Sequence, residues 1–158
     1  MARTGADLAL LLLGGFRVLA DAATDELARR GYVDMRPAHD FAMRAIAASA
    51  DNASELGRRL SISKQAAAKT ISLLEERGYL ARAYDHTDAR RKPLYVTEFG
   101  HAVMREGEAI FEELRADWER QLGTEDLKKL ESTLIALVGA TPIRIDAPGR
   151  ILSVTDEA

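Results

Sequence analysis

The chain has 158 residues, a formal net charge of −3 and no cysteine. Its 47% hydrophobic and 30% charged residues are ordinary globular values, which exclude a disordered or collagen-like protein. The lack of cysteine excludes disulfides, thiolate metal sites and cysteine nucleophiles. Helix-forming Ala, Leu, Glu and Arg are abundant and sheet-favouring residues are few, so we expect a mostly helical domain.

The first predicted helix starts in the apolar run of residues 8–20 and continues to Ala28. This run resembles the apolar part of a signal peptide, but it is too short to span a bilayer. Asp7 precedes it, Arg17 interrupts it, and the helical pattern does not break at its end. The pattern therefore favours a long buried helix over a cleaved signal, and it predicts a cytoplasmic protein with no membrane partner.

A second helix is predicted after a break at Gly31, with Pro37 in its first turn. It runs through AHDFAMRAIA, and Asp51-Asn52 ends it. Its buried stripe is predicted to consist of Phe41, Ala45, Ile46 and Ala48.

Two helices joined by a very short turn follow. The first runs from Ser54, the predicted N-cap, to Leu60, and the second runs from Lys64 to a stop at Gly78. This arrangement is typical of a helix-turn-helix unit. In the second helix, apolar side chains recur at spacings of four and three residues, which predicts a buried face of Ala67, Ile71 and Leu74.

Residues 79–84 and 93–97 read as two short strands on either side of a polar loop, which predicts a hairpin with a basic tip. From Ser54 to Pro93 the chain has nine basic and five acidic residues, a net charge of +4 within an acidic protein. Such a basic segment is typical of nucleic-acid binding, although a solvated surface can have the same charge.

Two further helices are predicted to be capped by Thr97 and Thr124. The apolar positions of the first are Phe99, Val103, Ile110, Leu114, Trp118 and Leu122, and those of the second are Leu127, Leu130, Leu134, Leu137 and Val138. The tail of residues 141–158 has no clear pattern. The three histidines lack metal-ligand spacing, and the sequence has no phosphate loop or Gly-x-Ser-x-Gly motif, so we expect no metal, no cofactor and no enzymatic activity.

Three motifs together resemble the core of the MarR family of bacterial transcription regulators. They are LLEERGYL at the end of the second helix of the pair, Asp88-Ala89-Arg90 followed by Arg91 and Lys92, and Val96-Thr97-Glu98-Phe99-Gly100, where the family has Leu-Thr-x-x-Gly. The resemblance extends over about residues 5–140.

The resemblance implies a mostly α winged helix-turn-helix with a small β-hairpin wing and long terminal dimerisation helices. Residues 1–35 and 98–140 would form the dimerisation region, and residues 36–97 the DNA-binding lobe. It implies a homodimeric regulator, a repressor by expectation, that binds a palindromic operator in double-stranded DNA. The alternative is a winged-helix protein-interaction module without specific DNA binding.

Candidate DNA contacts follow from the chemistry of the exposed residues. Glutamine can pair with adenine and lysine with guanine in the major groove, and small alanines allow close approach. The candidates on the recognition helix are Ser63 as N-cap, Lys64, Gln65, Ala68, Lys69 and Ser72. On the wing, Arg90 and Lys92 suit a minor groove and Arg91 suits phosphates. The resemblance implies that Asp88 pairs with the arginine side chains to hold the wing in shape. A solvated helix face and a mobile charged turn are the alternatives.

The resemblance also implies a site for a small-molecule effector. Arg17, Arg36 and His39 are candidate partners for a small anionic or aromatic effector, although each can equally be an ordinary surface residue.

Overall fold

The computed structural model describes residues 3–139. Within them the chain forms six helices and one antiparallel pair of strands, which confirms the predicted mostly helical fold with a hairpin. The elements are α1 (Gly5–Arg29), α2 (Pro37–Ala47), α3 (Ala53–Leu60), α4 (Lys64–Glu76), β1 (Leu80–Arg82), β2 (Leu94–Val96), α5 (Glu98–Leu122) and α6 (Thr124–Val138).

The described residues divide into two compact units. The helical unit comprises residues 3–40 and 98–139, and the winged unit comprises Phe41–Thr97. The functions predicted for the two regions, dimerisation for 1–35 with 98–140 and DNA binding for 36–97, stay predictions. The tail of residues 141–158 lies outside the described residues.

In the helical unit, α1 packs against α5 and α5 packs against α6. Thr4 caps α1 through a capping box: the Thr4 hydroxyl accepts a hydrogen bond from the Asp7 backbone N–H, and the Asp7 carboxylate accepts one from the Thr4 N–H. Small side chains allow the helices to approach closely. The buried residues of this unit include Ala20, Ala23, Leu27, Val103, Gly107, Ile110 and Leu127.

The prediction that α1 is buried along its whole length is wrong for a single chain. The leucines of its first half are about half exposed, from 45% for Leu13 to 65% for Leu10, and Phe16 is 48% exposed. Burial begins only at Ala20, because a single chain covers one face of the second half and leaves the first half uncovered. The surface formed by the exposed apolar residues 8–18 is called the leucine surface below.

The buried stripe predicted for α2 is only partly right. The helix ends at Ala47 and is followed by Ser49 in a left-handed conformation, with φ at 86°, so Ala48 is exposed rather than buried and Asp51 lies beyond the helix. Phe41 is only partly buried. The buried residues of α2 are Ala42, Met43, Ala45 and Ile46.

Two predicted helix caps are also wrong. The N-cap of α3 is Asn52 instead of Ser54, and its side-chain oxygen accepts a hydrogen bond of 2.9 Å from the Glu55 N–H. Asn and Ser are about equally good N-caps, so the choice between them depended on where the helix starts. Thr124 is the first residue of α6, and the N-cap is Gly123, which makes no side-chain hydrogen bond.

Candidate nucleic-acid interface

The turn between α3 and α4 is tight. Ser61 closes α3 in a left-handed conformation with φ at 51°, and the Ile62 N–H donates to the Gly57 carbonyl at 2.9 Å. The turn itself, Ser61-Ile62-Ser63, has no glycine, and a glycine stands one helical turn earlier in α3, at position 57. A Cβ at this position would lie 3.0 Å from the Ile62 carbonyl oxygen and 3.4 Å from the Lys64 nitrogen. Gly57 therefore permits the close approach of the two helices.

The predicted recognition helix is α4. Its buried face is the predicted one, with Ala67, Ile71 and Leu74 each no more than 2% exposed. Ser63 is its N-cap, as predicted, and the Ser63 hydroxyl accepts a hydrogen bond of 3.0 Å from the Ala66 N–H. The structure exposes all the predicted contact residues along this helix, which are Ser63, Lys64, Gln65, Ala68, Lys69 and Ser72.

Three of these side chains are available to a ligand. Among the residues that the structure describes, Lys64, Gln65 and Lys69 make no hydrogen bond or ion pair with other side chains or with the backbone through their polar ends. The side chains on the opposite face fix the helix in the core. Together these features give a helix that is buried on one face and exposes Lys64, Gln65 and Lys69 to solvent.

The wing is a short antiparallel hairpin in which Leu80 pairs with Val96 and Arg82 pairs with Leu94. Arg82 fastens its stem to α4, because the Arg82 Nε donates to the Glu75 carboxylate at 2.8 Å. Thr97, which directly precedes α5, donates its hydroxyl hydrogen bond to the Gly78 carbonyl at 2.6 Å.

Carboxylates shape the loop of the wing through backbone hydrogen bonds. Asp85 accepts hydrogen bonds from the hydroxyl and the N–H of Thr87, which lower the pKa of the Asp85 carboxyl. Asp88 accepts a hydrogen bond of 2.9 Å from the Arg90 N–H. The side chains of Arg90 and Lys92 are exposed, and neither has a polar partner within residues 3–139.

The pairing predicted for Asp88 differs from the structure. Asp88 accepts its hydrogen bond from the backbone N–H of Arg90. The side chain of Arg91 is ion-paired with Asp51 at 2.7 Å rather than with Asp88. Arg91 is thus in contact with a carboxylate at the position where a phosphate contact was predicted. A cleft of about 390 Å³ at this place is lined by Asp51, Asn52, Arg82, Arg90, Arg91, Lys92 and Pro93.

Arg59 holds the segment before α3 in place. Its guanidinium donates to the Ala48 carbonyl at 2.7 Å, to the Ser49 hydroxyl at 3.1 Å and to the Glu55 carboxylate at 3.1 Å. Arginine is suited to this role because its planar guanidinium has five N–H donors. Sequence reasoning counted Arg59 only as part of the basic segment and gave it no structural role.

Of the three candidate effector residues, Arg36 and His39 are in contact with each other through a hydrogen bond. The Arg36 N–H donates to His39 Nδ1 at 3.2 Å in the first turn of α2, so the imidazole acts as a helix cap. Arg17 is exposed on α1. Their predicted role in effector binding stays a prediction.

None of the helices within residues 3–139 is long and apolar enough to cross a membrane. No group of three or more His, Asp or Glu side chains in this part of the chain is arranged to hold a metal ion.

Known proteins share this fold. Residues 41–91 match the model of a family described as the MarR family. A mutant of MarR from E. coli is similar with a TM-score of 0.68 and 17% identity, over 86% of this chain and 97% of that chain. A Mycobacterium tuberculosis MarR family protein in complex with p-aminosalicylic acid gives a TM-score of 0.63 and 23% identity, over 82% and 97% of the two chains. A mutant of S. aureus MepR bound to an oligodeoxyribonucleotide gives a TM-score of 0.60 and 17% identity, over 82% of this chain and 94% of that chain. The likenesses confirm the winged helix-turn-helix fold.

Proposed function

Because this chain is a winged-helix protein of the MarR family, we propose that it is a sequence-specific, DNA-binding transcription regulator. One observation carries the proposal: α4 is fixed in the core on one face and presents Lys64, Gln65 and Lys69 to solvent without polar partners in the described residues. A helix with such an exposed face fits a major groove, where base edges offer the matching donors and acceptors.

The wing supports the same function. Arg90 and Lys92 extend from a hairpin that is fastened to α4 through Arg82 and Glu75. A cation at the tip of a wing suits the negative potential of a narrow minor groove. The two groups of cations lie in one compact unit, so a single duplex can contact both.

We include a homodimer in the proposal because of the leucine surface. Exposed apolar patches of this kind on a single chain are typical of protein interfaces. A two-fold dimer presents two recognition helices, which fit two half-sites separated by about one turn of DNA, roughly 34–36 Å. The operator is therefore expected to be palindromic.

Repression and release by an effector complete the proposal. The M. tuberculosis relative is a complex with p-aminosalicylic acid, an aromatic anion. We propose an effector of that chemical class, small and anionic or aromatic, with Arg17, Arg36 and His39 as candidate contacts. An effector that binds one conformation better than the other would shift the dimer away from its DNA-binding state. We assign the protein no enzymatic activity, and we place it in the cytoplasm, where bacterial DNA is accessible.

Selection of bound duplexes from a random pool tests the central proposal. We expect the purified protein to enrich a palindromic sequence, and to bind it with an affinity that falls steeply as salt increases. The protein-interaction module makes the opposite prediction. A protein that enriches no sequence and shows no salt-steep affinity for any duplex would support that alternative and overturn ours.

A further inference from the structure

We propose that Asp51 is a positioning residue for DNA binding: it holds Arg91 so that this arginine ties the wing to the start of α3, and Arg90 and Lys92 are left as the DNA contacts of the wing. The inference rests on the proposed function and deepens it, because it gives three adjacent cations different roles. Arg91 positions the wing, and Arg90 and Lys92 bind DNA.

Asp51 is bonded to the wing in two independent ways. Its backbone carbonyl accepts a hydrogen bond of 3.0 Å from the Leu94 N–H, at the start of β2. Its carboxylate oxygen Oδ2 accepts one of 2.7 Å from the Arg91 guanidinium. The second oxygen, Oδ1, accepts one of 3.0 Å from the Asn52 side-chain amide. Each carboxylate oxygen of Asp51 therefore accepts a hydrogen bond, and both the backbone and the side chain of Asp51 are bonded to the wing.

The surroundings explain why an acidic residue stands here. The cleft beside Asp51 is lined by four basic side chains, those of Arg82, Arg90, Arg91 and Lys92. Like charges that line one cleft repel each other. Asp51 is the acidic residue in the lining of this cleft, and its side chain is 22% exposed. The hydrogen bond from Arg91 lowers the pKa of the Asp51 carboxyl, so the carboxylate is charged at neutral pH.

An ion pair changes what Arg91 can do for DNA. A phosphate that binds Arg91 must displace the Asp51 carboxylate or share the guanidinium with it. Binding through a paired cation releases fewer counterions from DNA than binding through a free one, so Arg91 should contribute little to the salt dependence. Arg90 and Lys92 have no such carboxylate partner in the described residues. If Asp51 only competed with phosphate for Arg91, removing its charge would strengthen DNA binding. Our proposal predicts that the same change weakens DNA binding.

The experiment compares Asp51→Asn, Arg91→Ala and the double variant with the parent, on the selected duplex at several salt concentrations. We expect each single variant to bind about 5- to 30-fold more weakly, and the double variant to bind no more weakly than the weaker single. The plot of log affinity against log salt should keep its slope in Arg91→Ala and lose about one unit in Arg90→Ala. Asp51→Glu, which keeps the charge, should restore part of the affinity.

A charge-matched control is Glu76→Gln, which removes one negative charge from an exposed position on α4. We expect it to leave the affinity unchanged or slightly higher. Tighter binding by Asp51→Asn together with a flatter salt slope for Arg91→Ala would show that Arg91 is a phosphate ligand and overturn the inference. Additive losses in the double variant would also overturn it. A parent that binds no duplex at any salt concentration refutes the proposed function itself, which separates the two failures.

Discussion

Gly57 in α3 lies so close to Ile62 that a Cβ on the glycine would be 3.0 Å from the Ile62 carbonyl oxygen. The contact is with backbone in a tight turn, which cannot move away as the end of a flexible side chain can. The same turn sets the direction in which α4 leaves α3. The geometry of the recognition helix therefore depends on a residue that makes no contact with DNA in our proposal.

We predict that Gly57→Ala destabilises the protein by about 1–2 kcal/mol. Alanine on its own favours a helix by up to about 1 kcal/mol over glycine, so a net loss would have to come from the close contact. Gly5→Ala is a matched control, because a Cβ at Gly5 would have no atom within 4 Å. Thermal unfolding of both variants measures the difference, and an unchanged or raised midpoint for Gly57→Ala would contradict the prediction.

The sequence predicted well what is determined locally. The buried face of α4 follows from the spacing of Ala67, Ile71 and Leu74, because a helix of 3.6 residues per turn places them on one side. The cap at Ser63 was predictable because serine is a favoured N-cap and Ser63 stands directly before Lys64, the first residue of the predicted helix.

Contacts between distant residues had no such signal. Asp51 and Arg91 are 40 residues apart, and many acidic residues could have been the partner of this arginine. The burial of α1 was overestimated for a related reason, since an apolar sequence cannot distinguish a core within one chain from an interface between two chains. Asn52 and Ser54 are both good N-caps, and sequence alone did not decide between them.

The leucine surface leads to a prediction about assembly. We expect the parent protein to be a dimer at micromolar concentration, and the double variant Leu12→Lys, Phe16→Lys to be monomeric or to dimerise much more weakly. Both side chains are about half exposed in the single chain, so the change removes little packing within that chain. Asp25→Lys changes an exposed polar position of the same helix and serves as the control. Light scattering measures the mass, and a monodisperse parent monomer would contradict the dimer.

Arg30 should stabilise the helical unit in a way that depends on pH. Its guanidinium binds Glu26 at 2.9 Å on α1, and Glu106 at 2.9 Å and Glu113 at 3.1 Å on α5. The hydrogen bond from Arg30 lowers the pKa of the Glu26 carboxyl below its ordinary value of 4.5. A lowered carboxyl pKa gives stability that is present above the ordinary value and is lost as the pH falls through the lowered one.

We therefore predict that Arg30→Ala lowers the unfolding midpoint at pH 7, and that the difference from the parent shrinks as the pH falls below about 4. Arg29→Ala is the matched control, because Arg29 is 73% exposed and pairs only with Glu26 among the residues described. We expect it to have a smaller effect. Thermal melts of the three proteins across this pH range test the prediction, and a difference that stays constant with pH would count against it.

Gln65 should determine sequence preference rather than overall affinity. Its amide can exchange two hydrogen bonds with an adenine edge, an interaction worth about 1–3 kcal/mol of discrimination. We predict that Gln65→Ala weakens binding to the selected duplex and barely changes binding to a scrambled one, so the ratio of the two affinities falls. Equal losses on both duplexes would show that Gln65 does not read a base.

Lys69 should act on all sequences alike. It lies one helical turn after Gln65 and is exposed on the same helix, where its ammonium group can reach a phosphate. We predict that Lys69→Ala weakens binding to the selected and scrambled duplexes by the same factor, and that it lowers the slope of log affinity against log salt by about one unit, since one phosphate contact is lost. Lys129→Ala removes the same charge from an exposed position on α6 and should leave the slope unchanged. Titrations of both duplexes at several salt concentrations measure these quantities. If Lys69→Ala and Gln65→Ala both leave affinity and slope at the parent's values, this face of α4 is solvated in the complex and our assignment of the reading face is wrong.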